Sequence, residues 1–374
     1  MNGGGSEGRT RIATGLGIAV AVGVLLVLVL MPAASSALRP ELQGVVAASN
    51  TSCHVGGDPQ FPGYDPVNQE VYVPNFTTGN ISVLKGTCTL AGTIKLPKNA
   101  EPYQALFDPA NNYMFVTDYN LNQIYEISGM KIVDTYTNSS LGGDLWGPTA
   151  MTYDTASIDA YNAGALVITN YNGNFITYLQ VFQGYQFGTI PVGQSPDAIA
   201  FNPTDNAVWV ANEDSDNITV VNIDWYIFYQ GIPSEVVKVE ASLPVGSGLD
   251  AVAVDMANGF VYVANFGSNN VTVWNGGSTV EGYSIYLGTL TYESVISGLD
   301  GPSGATWDQS TLQVDITSIN NQKVYAVGGG NVGNEISKKY SMPSDSFPTG
   351  AAYDAANGDM YVTCVGTNSV YVIA

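Results

Sequence analysis

From about residue 57 onward the chain alternates apolar and polar positions in short runs, each closed by a cluster of Asp, Asn, Pro and Gly. That is the pattern of half-buried β-strands joined by tight turns. The clearest unit is Leu249-Asp-Ala-Val-Ala-Val-Asp255, a turn, Val261-Tyr-Val-Ala-Asn265, a second turn, and Asn270-Val-Thr-Val-Trp274. Aligned on its first residue, the unit recurs seven times: Pro59, Pro102, Pro148, Pro196, Leu249, Pro302 and Pro348 are followed six residues later by Asp65, Asp108, Asp154, Asn202, Asp255, Asp308 and Asp354. In six copies a strand end begins seven residues further on; in the third, six residues within 155–164 interrupt the spacing. The Asp-to-Asp period runs from 43 to 53 residues, the length of one four-stranded propeller blade. The expected fold is all-β, a seven-bladed β-propeller over residues 39–374. No long helical periodicity follows residue 31.

Each copy predicts its own strands. In the fourth, Ala198–Phe201 is the inner strand, Ala207–Ala211 the second, Asn217–Asn222 the third, and Leu243–Val245 the fourth after an insertion. The repeated Asp and Asn are expected to shape turns through their own backbone. The preceding Pro sits where a missing N–H costs no ladder bond. The last copy stops after its third strand, and an open edge is what closed β architectures avoid. The stretch 42–49 is therefore expected to supply the outer strand of blade seven.

Residues 1–38 read differently. Arg9 and Arg11 precede an apolar run over residues 12–31, and Pro32-Ala-Ala-Ser-Ser-Ala37 offers small residues for cleavage. The segment is expected to be a signal peptide, or an uncleaved membrane anchor, since twenty apolar residues span a bilayer. Either leaves the propeller outside the cell. Six sequons, Asn50, Asn75, Asn80, Asn138, Asn217 and Asn270, agree with export as candidate N-glycosylation sites in expected turns. Of the three cysteines, Cys53 and Cys364 fall in loops expected at one end of neighbouring blades, and Cys88 at the other end. Cys53–Cys364 is the expected disulfide, with Cys53–Cys88 the competing pair.

The strand ends carry a resemblance. Tyr72-Val-Pro-Asn75, Phe115-Val-Thr-Asp118, Val167-Ile-Thr-Asn170, Trp209-Val-Ala-Asn212, Tyr262-Val-Ala-Asn265, Asp315-Ile-Thr-Ser318 and Tyr361-Val-Thr-Cys364 resemble the YVTN family of β-propeller repeats. The likeness runs from about residue 57 to 374. The sixth copy has Asp315 in place of the aromatic and the seventh Cys364 in place of Asn. The resemblance implies a propeller of the archaeal cell-surface or surface-layer type and no particular activity.

Charge narrows the partners. Eleven Lys and Arg stand against 32 Asp and Glu, a formal charge of −21. Such a surface repels nucleic acid and anionic lipid. It suits an acidic exterior, where carboxylates lose their charge, and an acidophilic archaeal source is the expectation.

Catalytic chemistry finds little material. A propeller lyase would need histidine at the central site, and the chain has one histidine, His54, before the first blade. Arg is absent from residue 40 onward, which disfavours a quinone-dependent dehydrogenase, and no phosphate loop, zinc spacing or nucleophile elbow occurs. No enzyme and no cofactor is expected. Two weaker features remain. Asp197 and Asp250 start neighbouring inner strands, and with Asp214 and Asp216 in the turn of blade four they are candidates for holding a small ligand or Ca²⁺. Long insertions between third and fourth strands carry Trp225, Tyr226, Phe228, Tyr229, Tyr283 and Tyr286, with Tyr178 to Phe187 in blade three, a candidate protein-interaction patch. The leading expectation is a non-catalytic surface propeller that binds other envelope proteins or copies of itself. The alternative is a ligand- or cation-binding propeller with an acidic channel mouth.

Overall fold

The computed structural model describes residues 45–47, 51–155, 164–180, 186–229, 232–281, 284–287, 289–328 and 335–374; residues 45–47, 180–187, 223–241 and 278–288 enter only through their strands. The described residues are strands and turns with no helix. They form seven four-stranded antiparallel sheets arranged as the blades of a propeller, one of them extended by a fifth, parallel strand.

The inner strands are Gly63–Asp65, Pro102–Asp108, Pro148–Asp154, Pro196–Asn202, Leu249–Val254, Pro302–Asp308 and Pro348–Asp354. Each leads into a hairpin governed by the recurrent Asp or Asn. Asp65 Oδ1 accepts from the Val67 N–H at 2.8 Å, and Asp108, Asn202, Asp255, Asp308 and Asp354 each accept from the residue two further on. The side chain thus completes the turn with its own backbone. Pro62 cuts the first inner strand short, because it lacks the N–H a ladder needs. Phe61 instead bonds the inner strand of blade two, from the Phe61 N–H to the Tyr103 carbonyl at 3.1 Å.

Strand alternation makes the core. In blade four, Ala207, Trp209 and Ala211 face blade five, while Val208 and Val210 face blade three. Seven apolar clusters result, one between each successive pair of blades. The last joins Tyr361, Val370 and Val372 of blade seven to Val71, Val73 and Leu84 of blade one. Where the second strand carries an aromatic, as with Tyr72, Phe115, Trp209, Tyr262 and Tyr361, the ring is fully buried in a seam. Tyr72 is fully buried and its hydroxyl donates to the Gly129 carbonyl of blade two at 2.9 Å. Blade six places Asp315 at this position, also buried.

The Asn that ends the second strand is a strap. Asn212 Nδ2 donates to Asn217 Oδ1 at 2.8 Å and to Thr219 Oγ1 at 2.9 Å across the turn; Asn265 does the same with Asn270 and Thr272, and Asn75 with Asn80 and Ser82. This explains three of the six sequons. Asn80-Ile-Ser, Asn217-Ile-Thr and Asn270-Val-Thr begin the third strands, and both their Asn and their Ser or Thr are acceptors for the strap. Asn75 itself is fully buried at a strand end, which corrects the expectation of a turn. Asn138 is half-buried, its Oδ1 accepting from the Leu145 N–H, and Asn50 lies outside the described residues.

Two further expectations are corrected. The fourth strand of blade seven is Ser52–His54, antiparallel to Ser369–Ile373. Within the stretch 42–49, the described strand Val45–Ala47 lies parallel to Ile336–Ser341 at the outer edge of blade six. The disulfide is Cys53–Cys88, with a Cα separation of 5.4 Å, and Cys364 is a free, buried thiol. Parity is the reason. Cys53 and Thr363 both lie opposite Val370, whose side chain packs toward blade one, as Cys88 does. Cys364 is one residue further along and packs toward blade six with Val324 and Met342. A one-residue step reverses the face. The apolar run 12–31 lies outside the described residues.

Candidate functional site

Two positions of the repeat, in blades one to five, point to one mouth of the channel. The first follows the residue that opens the inner strand, Pro in blades two to four and Leu249 in blade five: Tyr103, Thr149, Asp197 and Asp250. The second follows the last residue of the second strand: Phe76, Tyr119, Tyr171 and Glu213 in blades one to four. These eight residues line a cavity of about 410 Å³. The backbone fixes the second position in the same way each time. The N–H of Phe76, Tyr119, Tyr171 and Glu213 donates to the carbonyl of Asp58, Glu101, Gly147 and Ser195, so each side chain leaves its blade at the same angle.

Below this mouth the channel narrows to a chamber of about 50 Å³ bounded by Phe61, Gln104, Ala150, Ile199, Val252 and Ala305. Asp197 and Asp250 line both spaces. They stand at the constriction.

The wall is divided. Aromatic rings occupy the side of blades one to three. The Phe76 and Tyr119 ring centroids are 6.4 Å apart, Tyr119 and Tyr171 are 6.3 Å apart at 67°, and Tyr103 meets Phe76 edge-on at 6.4 Å. Carboxyl groups occupy the side of blades four and five. Two are tied across the mouth: the Tyr171 hydroxyl donates to Glu213 Oε2 at 2.8 Å, and the Tyr103 hydroxyl to Asp197 Oδ2 at 3.4 Å.

Burial, then the Glu213 charge, pushes Asp197 up to about 7, against which hydrogen bonds from Thr149 and Tyr103 act. Burial followed by the Asp197 and Glu213 charges drives Asp250 well above the usual carboxylate range. The same causes, burial first and the three carboxylates next, raise Tyr103 well above an ordinary phenol.

The structure thus brings Asp197 and Asp250 together and leaves Asp214 and Asp216 outside the cavity. Asp214 Oδ2 accepts from Ser195 Oγ at 2.6 Å, and Asp216 Oδ1 from the Gly248 N–H at 3.1 Å, so both hold loops between blades. Among the described residues no group of three or more His, Cys, Asp or Glu is placed to hold a metal ion. His54 is on the outermost strand of blade seven, its Nδ1 3.3 Å from Ser369 Oγ, on the periphery of the ring.

The aromatic insertions are extended hairpins. Asn217–Tyr229 pairs with Ile232–Pro244 beyond the edge of blade four, carrying Trp225, Tyr226, Phe228 and Tyr229. Ser278–Glu281 pairs with Ser284–Leu287 beside blade five, carrying Tyr286; Tyr283 lies outside the described residues. Tyr178 is buried in the seam between blades three and four.

Reading the sequence did not single out Glu213 or the aromatic crescent. The signal was present in the repeat register. The residues following the strand ends are Phe76, Tyr119, Tyr171, Glu213, Phe266, Ile319 and Val365, a column of apolar and aromatic side chains broken once by an acid.

No protein-family model matches the chain, and no curated protein is similar to it in sequence. Its fold has many counterparts among solved structures. A streptogramin B lyase superposes with a TM-score of 0.60 at 14% identity, over 85% of this chain and 94% of that one. A catalytically inactive histidine-to-alanine variant of the Staphylococcus aureus virginiamycin B lyase, solved with quinupristin, gives 0.61 at 15% identity over 88% and 98%. The Swd1 β-propeller domain of Myceliophteria thermophila gives 0.65 at 7% identity over 86% and 98%. At these identities the likeness shows the propeller fold alone.

Proposed function

We propose that this chain is a non-catalytic propeller that works outside the cell as a binding protein of the envelope, engaging other surface proteins or copies of itself with the channel mouth as its recognition face. The observation that carries this reading is the composition of that mouth. Aromatic rings, hydroxyls and three acids converge on a cavity of about 410 Å³, with no histidine, lysine or arginine lining it among the described residues. Rings and hydroxyls grouped around acids in a cavity of small-molecule size are the make-up of a recognition site.

Export rests on the N-terminal residues 1–38, as a cleaved signal or an anchor over 12–31, and the Cys53–Cys88 bond suits an oxidising exterior. Ser52–His54, stapled by that bond to the first blade, is the latch of the ring. The lyases of similar fold offer a second reading. The inactive variant shows that such a lyase depends on a histidine, and this chain's single histidine sits on its outermost strand. An archaeal surface-layer setting follows from the repeat resemblance alone.

Native mass spectrometry of the protein taken from its own membranes tests the reading. Self-assemblies or co-purifying envelope proteins are expected. A lone monomer that turns over a substrate would overturn it.

A further inference from the structure

One side chain at the mouth stands apart. Glu213 is bonded to Tyr171, and Asp197 to Tyr103 and Thr149. Asp250, deeper than Glu213 and facing both the mouth and the chamber beneath, takes no hydrogen bond or ion pair among the described residues. A desolvated carboxyl beside two other acids and without a donor costs stability. A fold whose every other blade places Gln60, Tyr103, Thr149, Ser303 or Thr349 at the same position, apart from Asp197, has a neutral solution available. Retaining the acid here makes sense where a positive charge arrives from outside.

The opposite wall says which kind of charge. Aromatic faces carry negative potential and attract cations whose hydration is weak. A hard divalent ion needs its oxygen ligands gathered at short range, and among the described residues no three acids are placed to hold one. The space, about 410 Å³, is of small-molecule size.

We propose that the channel mouth binds an organic ammonium group, its charge set against Asp250, Asp197 and Glu213 and its alkyl substituents against Tyr103, Tyr119 and Tyr171. This deepens the binding reading and rests on it, naming the chemistry recognised. The group is either that of a free small molecule or the tip of a lysine side chain presented by a partner protein. The contacts are the same in both.

Isothermal titration of the full chain at pH 8 and low salt tests it with three probes: choline, its neutral isostere 3,3-dimethylbutan-1-ol, and N-acetyl-lysine amide. At least one cation is expected to bind, and the isostere at least tenfold more weakly. Asp250→Asn and Tyr171→Ala are each expected to weaken the cation tenfold or more, whereas Asp300→Asn, which removes one exposed acid elsewhere, leaves it unchanged. Asp250→Asn removes a buried charge, so its melting temperature should equal or exceed that of the parent, and lost binding cannot then be ascribed to unfolding. Tighter choline points to a small molecule, and a tighter lysine derivative to a partner's side chain. Failure of both cations, or an isostere that binds as tightly, overturns the proposal. If that happens while native mass spectrometry still finds assemblies, only the ligand class falls. If a cation binds and no assembly exists, the envelope-assembly reading falls instead.

Discussion

Cys53 and Cys88 are bonded with their Cα atoms 5.4 Å apart, joining the last strand of the seventh sheet to the outer hairpin of the first. The bond closes 35 residues of chain. Restricting the unfolded chain over such a loop is worth about 3–4 kcal/mol. The double variant Cys53→Ser, Cys88→Ser should lose roughly that in equilibrium unfolding, and a reducing agent should lower the melting point of the parent but not of the variant. Cys364 should stay unalkylated until the protein unfolds, because burial shields it and pushes its thiol up to about 12.

Asn212 tests the strap. Its side-chain amide is buried and donates to Asn217 and Thr219, so Asn212→Ala should cost about 1–3 kcal/mol in denaturant unfolding. Gly193→Ala should also destabilise, since an added Cβ would meet Asn212 Cγ at 2.6 Å. Gly56 and Gly246 lie against Asn75 and Asn265 in the same way, which is why a glycine stands three residues before Pro59, Pro196 and Leu249. If Gly193→Ala melts with the parent, the strap is not as tightly enclosed as described.

Glycopeptide mapping checks the sequons. A buried Asn75 whose amide is occupied by Asn80 and Ser82 should carry no glycan in protein from its natural source. Full occupancy there would contradict the packing of blade one.

Stability should fall as pH rises. Asp197 and Asp205 are pushed up to about 7 and Asp315 to about 8, in each case chiefly by burial. A carboxyl with a raised value in the fold keeps its proton where the unfolded chain has lost it. Its contribution is therefore complete below about pH 4 and disappears as the pH climbs to 7 or 8. Urea midpoints should be higher at pH 4.5 than at pH 8, and Asp197→Asn should flatten that slope. A midpoint that rises with pH would contradict both the buried acids and the expectation of an acidic habitat.

The fold was legible because it is written seven times. A turn-forming Asp, a Pro before the inner strand and an aromatic wedge recur in register, and the packing of one blade requires the packing of the next. What escaped depends on single residues. Whether Cys53 meets Cys88 or Cys364 turns on strand parity, and one residue decides it. Which stretch completes blade seven depends on whether Ser52–His54 or residues 42–49 reach the edge of Ser369–Ile373, and the more apolar stretch 42–49 is not the one that does. Asp197 and Asp250 could be placed at one channel entrance from the register. Glu213 and the rings of Tyr119 and Tyr171 lie in a column where apolar residues are usual, so nothing in their own stretches set them apart.

The claim that the mouth is the working face has a direct test in hydroxyl-radical footprinting, comparing the protein in isolated cell envelopes with the purified protein. The account predicts that Phe76, Tyr119 and Tyr171 lose reactivity in the envelope, while Leu90, Val133 and Tyr292, exposed on outer strands, keep theirs. Unchanged labelling at the mouth with protection of those outer strands would contradict it, and would move the binding face to the rim.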